Sequence, residues 1–232
     1  MIRVEGVSKR FGDHVALDHV SVDIPDGATT VILGPSGVGK TVLLRIMAGL
    51  QAPDEGQILR DGRRIGFGRF ADNVQPTAGL GYVFQGGALF DSLTVAENVA
   101  LPLEETTRLG RAKIRARTAE ALGRVGMVEN ADLFPRALSG GMTRLVAIAR
   151  ALVADPHCIF FDEPTTGLDP AVRSRICDMI GELREHGDRT LVVVTHDLEA
   201  ARLLADHTFM LRAGKLVRAD NVRKEDYEQA YS

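Results

Sequence analysis

The sequence contains few residues of the kinds that build disulfides, zinc sites or membrane anchors. Its two cysteines, Cys158 and Cys177, lack the cysteine and histidine spacing of a zinc site, and such usage is typical of a reducing compartment. No apolar run approaches the ~18 residues that span a bilayer, and the N-terminus lacks the pattern of a signal peptide. We therefore expect a soluble, unsecreted protein whose membrane role, if it has one, comes through a partner.

The charge balance is close to neutral. The 232 residues include 28 basic and 31 acidic ones, a formal net charge of −3, which predicts no global attraction to nucleic acid or anionic lipid. A basic helical stretch offers a local candidate for lipid headgroups, with Arg108, Arg111, Lys113 and Arg115. Charged helices are more often solvated faces, and we favour that interpretation.

Hydrophobic periodicity predicts an α/β protein. Residues 2–33 read as short strands, and residues 56–84 are typical of a β-meander. Between them, apolar residues recur at helical spacing, and Gly49 and Pro53 are expected to end that helix. Residues 86–154 change character and predict an inserted helical subdomain, in which Thr94 and Glu97 form a capping-box pattern and a basic helix covers about 107–124.

Strands and helices alternate again in the last third of the chain. We expect a strand at 158–161, a helix at about 170–186, a strand at 190–194 and a final hairpin at Gly214. This alternation predicts a largely parallel sheet with helices packed on it. We interpret residues 1–232 as a single domain.

A glycine-rich loop follows the first buried strand and opens a helix, which is the context that a phosphate-binding loop requires. Its backbone amides and the helix N-terminus can hold phosphates, Lys40 can neutralise the β- and γ-phosphates, and the Thr41 hydroxyl can coordinate Mg²⁺. The loop residues are Gly34, Pro35, Ser36, Gly37, Val38, Gly39, Lys40 and Thr41. The alternative is an ordinary glycine-rich turn.

Two adjacent carboxylates, Asp162 and Glu163, follow the buried strand at 158–161. Strand ends of this kind lie beside the phosphate loop in a doubly wound sheet, so Asp162 is a candidate for holding Mg²⁺ and Glu163 for polarising the attacking water. An acidic turn without function is common in isolation, but it is improbable together with the loop.

A second glycine-rich segment lies at residues 138–142. Ser139 is a natural N-cap of the apolar helix that follows, but capping does not explain the successive glycines Gly140 and Gly141, which weaken a helix start. We interpret them as a place where a γ-phosphate approaches a helix N-terminus. A single-chain phosphate site does not need this segment, so the pair of segments predicts a dimer.

Together these motifs resemble the nucleotide-binding subunit of ATP-binding cassette (ABC) transporters, from about residue 2 to 218. Four further positions match that family. Gln85 lies at the Q-loop, where a glutamine reaches Mg²⁺ and the lytic water; Asp169 lies in the D-loop that crosses the dimer interface; His196 matches the switch histidine. Phe11 matches the ring that stacks on adenine, although a lone aromatic residue is more often a packing residue. Taken alone, His196 could instead be a histidine bonded to a neighbouring carboxylate such as Asp197, but together with Glu163 and the other motifs the switch interpretation is favoured.

The resemblance implies a P-loop α/β core with a largely parallel sheet, an N-terminal antiparallel β-subdomain and an inserted α-helical subdomain. It also implies an ATPase that closes head-to-tail as a dimer around two MgATP. Lys40, Gln85 and Glu163 of one chain would then face Ser139 and its glycines in the other chain. Closure would move the helical subdomain, and this motion would be transmitted to integral-membrane permease subunits. The chain would be held peripherally at the cytoplasmic face of the inner membrane. No nucleic acid would be bound.

A finer resemblance points to the Mla-type ATPases of phospholipid transport, which work with Mce-domain lipid-binding proteins. It rests on the stretch 84–99 and on methionine, rather than glutamine, at Met142. One departure is Leu145, where the family usually has a basic residue; here Arg144 precedes it and faces elsewhere on the helix.

Three rival functions are weighed against this interpretation. An importer or exporter of another solute is the serious alternative. A soluble cassette ATPase acting on nucleic acid or the ribosome is disfavoured because such proteins carry coiled-coil insertions, zinc cysteines or tandem cassettes. A regulatory scaffold without turnover is disfavoured by the presence of Glu163 and His196.

Overall fold

The computed structural model describes residues 1–67, 79–185 and 189–219. The β-strands in these residues are β1 (Ile2–Phe11), β2 (His14–Ile24), β3 (Thr29–Leu33), β4 (Glu55–Arg60), β5 (Arg63–Arg64), β6 (Leu80–Val83), β7 (Cys158–Asp162), β8 (Thr190–Thr195), β9 (His207–Arg212) and β10 (Lys215–Arg218). The α-helices are α1 (Lys40–Met47), α2 (Val95–Thr106), α3 (Arg111–Arg124), α4 (Gly140–Leu152), α5 (Pro170–Glu185) and α6 (Leu198–Leu204), with short 3₁₀ turns at Val128–Asn130 and Pro135–Ala137.

The strands form two sheets within the described residues. One is antiparallel, in the order β2-β1-β4-β5, and the other runs β10-β9-β3-β8-β7-β6. In the second sheet the five strands from β9 to β6 are parallel and β10 is an antiparallel edge strand. The prediction of a largely parallel sheet with an antiparallel β-subdomain and inserted helices is confirmed.

The centre of the parallel sheet is covered on both faces. Every residue of β3, β7 and β8 is buried, as expected for the continuous apolar runs that fill such strands. One face packs on α2 to α6, and the other packs on α1 and the antiparallel sheet. Because both faces are used for packing, the loops at the strand ends are the part of the sheet left for chemistry.

The helical insertion is built from α2, α3 and α4. The predicted capping box is present, since Glu97 N donates to Thr94 Oγ1 and Thr94 N donates to Glu97 Oε2. The basic helix begins at Arg111 rather than near residue 107, because α2 continues to Thr106 and Gly110 is the N-cap of α3. Its basic residues are exposed, in line with a solvated face. In the described parts of the chain no helix is long and apolar enough to cross a bilayer.

Two details of the predicted first half differ in the structure. The strands β1 and β2 are 10 and 11 residues long rather than short, and register shifts interrupt their pairing. Helix α1, in contrast, ends at Gly49 as predicted, because Gly49 adopts a φ of 78° and Leu50 N donates to Arg45 O, which closes the helix in a Schellman turn. The predicted meander is divided between the two sheets, and its residues 68–78 lie outside the described residues.

The first turn of α4 packs closely against α5. A Cβ atom added at Gly141 would lie 2.9 Å from Cγ1 of Val172, whereas one added at Gly140 would meet only Leu168, at 4.0 Å. Packing within the chain therefore accounts for glycine at position 141. The argument that two glycines imply a visiting ligand holds for Gly140 alone.

This difference predicts opposite effects of two neighbouring substitutions on stability. Gly141→Ala is expected to lower the free energy of unfolding by about 1–2 kcal/mol, since the stiff side chain of Val172 must shift. Gly140→Ala should leave it unchanged or raise it by up to about 1 kcal/mol, the helix-propensity gain. Urea denaturation measures both variants. Adding Val172→Ala should recover part of the Gly141→Ala loss, and equal effects of the two glycine variants would contradict the packing argument.

Candidate functional site

The loops that follow the parallel strands meet at one edge of the sheet. Register fixes this arrangement, because Leu33 pairs with Thr195, Asp162 pairs with Val194, and β6 pairs with β7 up to Val83. Each strand therefore ends at nearly the same level, and the next residues in the chain emerge together. Those residues are Gly34, Glu163 and His196, and Gln85 lies two residues after the end of β6.

The loop between β3 and α1 presents its crest to solvent. Ser36 and Gly37 are exposed, while Gly39 is buried with a φ of 109°, and a Cβ at Gly39 would lie 2.6 Å from the carbonyl oxygen of Ala16. Gly39 is also the N-cap of α1 and makes no side-chain capping bond. The first amides of the helix are thus left for an anion rather than for a capping side chain.

Lys40 is folded back under this loop. Its side chain is 5% exposed, and Nζ donates to the carbonyl oxygens of Gly34 at 2.8 Å and Pro35 at 3.0 Å. Nζ also lies 3.1 Å from Oε1 of Glu163, whose side chain is 6% exposed. A buried ion pair therefore joins the loop after β3 to the end of β7.

Asp162 accepts hydrogen bonds at both carboxylate oxygens. Thr41 Oγ1 donates to Oδ1 at 2.7 Å, and the Tyr82 hydroxyl donates to Oδ2 at 3.2 Å. Thr41 is the second residue of α1, so the sequence motif brings the hydroxyl and the carboxylate together as predicted. Tyr82 comes from β6, which is the strand next to β7.

Glu163 and His196 are in direct contact. His196 Nδ1 lies 2.9 Å from Glu163 Oε2, and Thr166 Oγ1 donates to the same oxygen at 2.8 Å. The alternative partner considered for His196 is used elsewhere, since Asp197 accepts from the amides of Glu199 and Ala200 at the start of α6. Glu163 also has a φ of 50°, a left-handed conformation that its side-chain partners hold in place.

The pKa values of the neighbouring carboxyls Asp162 and Glu163 are shifted in opposite directions. Burial raises the pKa of Asp162, although the hydrogen bonds from Thr41 and Tyr82 oppose the shift. Burial also acts to raise the pKa of Glu163, but the hydrogen bond from Thr166, the charge of Lys40 and the contact with His196 outweigh burial and lower it. Glu163 is therefore an ionised carboxylate at neutral pH.

The oxygen donors at this edge fit a magnesium ion bound together with a nucleotide. Thr41 and Asp162 supply a hydroxyl and a carboxylate, which are hard ligands of the kind that Mg²⁺ prefers. Within residues 1–67, 79–185 and 189–219 no group of three or more His, Cys, Asp and Glu side chains is arranged to hold a metal ion. A magnesium ion held by Thr41 and Asp162 would take its remaining ligands from phosphates and water.

Sequence reasoning missed two residues of the site, Tyr82 and Thr166. Burial and the charge of Asp162 both raise the pKa of Tyr82, so its hydroxyl stays protonated and acts as a donor. In sequence Tyr82 is one more β-former in an apolar run. The available signal for Thr166 was its position three residues after Glu163, within bonding distance if the chain turns there.

The other predicted positions surround this centre. Gln85 is exposed in the turn after β6. Phe11 ends β1 with half of its ring exposed, and Lys9 Nζ lies 5.8 Å from the ring centroid. Asp169 is exposed, and its Oδ1 accepts from the amides of Ala171 and Val172 at the start of α5, so helix capping accounts for an aspartate there.

The second glycine-rich segment has a different set of neighbours. Ser139 is the N-cap of α4, with Oγ accepting from Met142 N at 3.3 Å, and both Ser139 and Gly140 are exposed. The nearest atoms to Gly140 and Gly141 belong to Leu168 and Val172. None of these residues bonds to Lys40, Thr41 or Glu163 among the described contacts, so within one chain the two glycine-rich segments form separate surfaces.

Comparison with known proteins finds many relatives of this chain. The family model described as ABC transporter matches residues 17–166. The methionine import ATP-binding protein MetN 1 of Rhodococcus jostii is 41% identical over 227 residues, covering 96% of this chain and 67% of that protein. The intermembrane phospholipid transport system ATP-binding protein MlaF of Escherichia coli is 39% identical over 217 residues, covering 94% of this chain and 81% of that protein.

Solved structures give the same result. The dimeric ATP-binding cassette MJ0796 in a post-hydrolysis state with ADP and Pi superposes with a TM-score of 0.83 at 31% identity, covering 96% of this chain and all of that one. A second dimeric structure of MJ0796, a bacterial ABC transporter cassette, gives a TM-score of 0.84 at 34% identity, covering 94% and 97% of the two chains. The chain belongs to the ABC transporter family and is the ATPase subunit of such a transporter.

Proposed function

We propose that this ATPase powers phospholipid transport across a bacterial envelope, as a homodimer held peripherally at the cytoplasmic face of the inner membrane by permease subunits. Residues 1–232 act as one domain, in which 86–154 form the helical and signature subdomain. The observation that carries the hydrolytic part is the convergence of Lys40, Thr41, Asp162, Glu163 and His196 at one sheet edge. The choice of phospholipid as the substrate rests on the resemblance of this chain to the Mla-type ATPases.

Nucleotide binding uses groups that the fold already presents. The amides of residues 34–41 surround the phosphates, Phe11 stacks on the adenine, and Asp169 contributes from the D-loop. Thr41 and Asp162 would hold Mg²⁺, and Gln85 in the turn after β6 would be a further ligand. The bound ion neutralises charge on the phosphates.

The ion pair between Lys40 and Glu163 changes when a nucleotide enters. Lys40 Nζ lies 3.1 Å from Glu163 Oε1, and phosphate oxygens are stronger competitors for an ammonium group. Transfer of Lys40 to the β- and γ-phosphates frees one oxygen of Glu163. That oxygen then accepts a proton from the attacking water, while His196 contacts the γ-phosphate and Gln85 orients the water.

Glu163→Gln tests this assignment. Because Glu163 acts in water activation and not in phosphate binding, the variant should hydrolyse ATP at least ~100-fold more slowly and accumulate as an ATP-bound dimer. Phosphate release and size-exclusion chromatography with ATP measure the two effects. Glu120→Gln, in an exposed ion pair with Arg124 on α3, is the matched control and should behave as the wild type. Normal turnover of Glu163→Gln would remove the catalytic assignment.

The signature segment completes the site from a second copy. Ser139 and Gly140 are exposed at the N-terminus of α4, where amides and the helix dipole favour a phosphate, and Gly141 lets the helix start pack on α5. Relatives of this chain form dimers in solved structures. We infer that each γ-phosphate lies between Lys40 of one protomer and Ser139 of its partner.

Mixing two inactive variants tests this shared site. Lys40→Ala and Ser139→Arg each damage both sites of a homodimer, but a heterodimer keeps one intact pair of surfaces. Random reassortment of equal amounts should therefore restore roughly a quarter of wild-type hydrolysis, since half of the dimers are mixed and each has one active site. A chain with both substitutions, mixed with Ser139→Arg, is the control and should stay inactive. Stable heterodimers without activity would exclude the composite site.

A groove next to Gln85 is the candidate docking surface for the permease. It has a volume of about 620 Å³ and is lined mainly by apolar side chains, with Phe90 at its edge 53% exposed. The stretch 84–99 that resembles the Mla-type ATPases begins in this groove. It therefore bears on which permease binds, and the resemblance suggests one that serves an Mce-domain lipid-binding protein.

Import of another solute is the alternative. It is supported by the similarity to the methionine import protein of Rhodococcus jostii, which is as high as the similarity to MlaF. Met142, half-buried behind the signature serine, and the stretch 84–99 favour phospholipid.

Purification of the complex from native membranes distinguishes the two functions. Mass spectrometry of the co-purified permease and of its bound small molecules should find phospholipid at the permease and an Mce-domain subunit, whereas an amino acid or an oxyanion with a solute-binding protein would contradict the proposal. Phe90→Glu should lose the permease while it still binds ATP. Val217→Glu, at an exposed position on the edge strand β10, is the control and should retain the permease.

A further inference from the structure

The turn that carries Gln85 is attached to helix α4. Gly87 N donates to Phe84 O at 2.8 Å, which places Gln85 and Gly86 at the corner of a tight turn. Both ends of this turn are hydrogen-bonded by arginines of α4. Arg144 Nη1 donates to Phe84 O at 2.9 Å, and Arg150 donates to Gly87 O and Ala88 O, each at 2.7 Å.

Close packing accompanies these hydrogen bonds. Gly87 has a φ of 80°, and a Cβ there would lie 2.8 Å from Cγ2 of Thr143, in the first turn of α4. Ala88 has a φ of 48°, a left-handed conformation that is unusual for alanine. Its carbonyl is one of the two groups that Arg150 holds. The turn is thus shaped to fit the side of α4.

Arg144 is the unusual member of this pair. It is 6% exposed, burial lowers its pKa, and the charges of Asp162 and Glu163 oppose that shift. A guanidinium in such a position loses hydration, and an apolar residue of similar size would serve packing as well. Leu145, the next residue of α4, is 4% exposed and packs in the hydrophobic core, so the polar contact with the turn is made by Arg144.

We propose that Arg144 is a positioning residue, which fixes Gln85 at the reaction centre by holding Phe84 O. The same hydrogen bond ties the turn to α4, whose N-cap is Ser139. This inference rests on the role proposed for Gln85. Arg150 holds the other end of the same turn. A displacement of the N-terminus of α4 by a partner protomer then moves Gln85 of the same chain, which connects the two sites of a dimer through a single rigid helix.

A double-mutant cycle with Gln85→Ala tests the proposal on the full chain. If Arg144 acts through Gln85, Arg144→Met should lower kcat about tenfold, the effect of losing one charge-assisted hydrogen bond. The same substitution should change kcat less than about twofold when Gln85→Ala is already present. Binding of a fluorescent ATP analogue should stay within about twofold in each variant. Arg144→Lys, which keeps a charged donor, should recover most of the rate.

The outcomes separate the two ideas. Unchanged hydrolysis in Gln85→Ala would overturn the role proposed for Gln85 itself. An equal loss from Arg144→Met in both backgrounds, or no loss at all, would overturn the positioning role. Arg124→Met removes an exposed arginine of α3 and should leave kcat unchanged. If Arg144→Met does not fold, Arg150→Met carries the same cycle with the same expectations, because it releases the other end of the turn.

Discussion

The ion pair between Lys40 and Glu163 is the interaction on which the site depends. Both side chains are about nineteen-twentieths buried, and an unpaired charge in such a place costs several kcal/mol. Each partner is also fixed by further bonds, Lys40 to the loop carbonyls and Glu163 to Thr166 and His196. The pair therefore holds three chain segments together before any nucleotide arrives. In the proposed mechanism a polyphosphate offers Lys40 a stronger counter-charge, so nucleotide binding and release of the Glu163 carboxylate are one event.

Local signals in the sequence predicted much of this arrangement. The phosphate loop follows from the strand before it and the helix after it, and the capping box from two residues three apart. The placement of Asp162 beside Thr41 follows from a general rule, because the ends of parallel strands share an edge. The order and register of the strands then bring Thr41 Oγ1 to 2.7 Å from Asp162 Oδ1.

Contacts between distant parts of the chain could not be predicted in the same way. Tyr82 and Asp162 are 80 residues apart, and Phe84 and Arg144 are 60 apart, so neither pair leaves a periodic pattern. Gly141 illustrates a different limit. A glycine shows that something lies close to the backbone, but only the fold shows whether the neighbour is a ligand or, as here, Val172.

Alternate residues of the central strands belong to different cores. In β7, Ile159 and Phe161 pack with the helical side, while Cys158 and Phe160 pack with α1 and the antiparallel sheet. The sheet therefore separates two hydrophobic cores, with the helical layer on one face and the antiparallel layer on the other. Force applied to the helical layer therefore passes through the shared strands, at whose ends Glu163 and His196 lie, before it reaches the antiparallel layer, which carries Phe11.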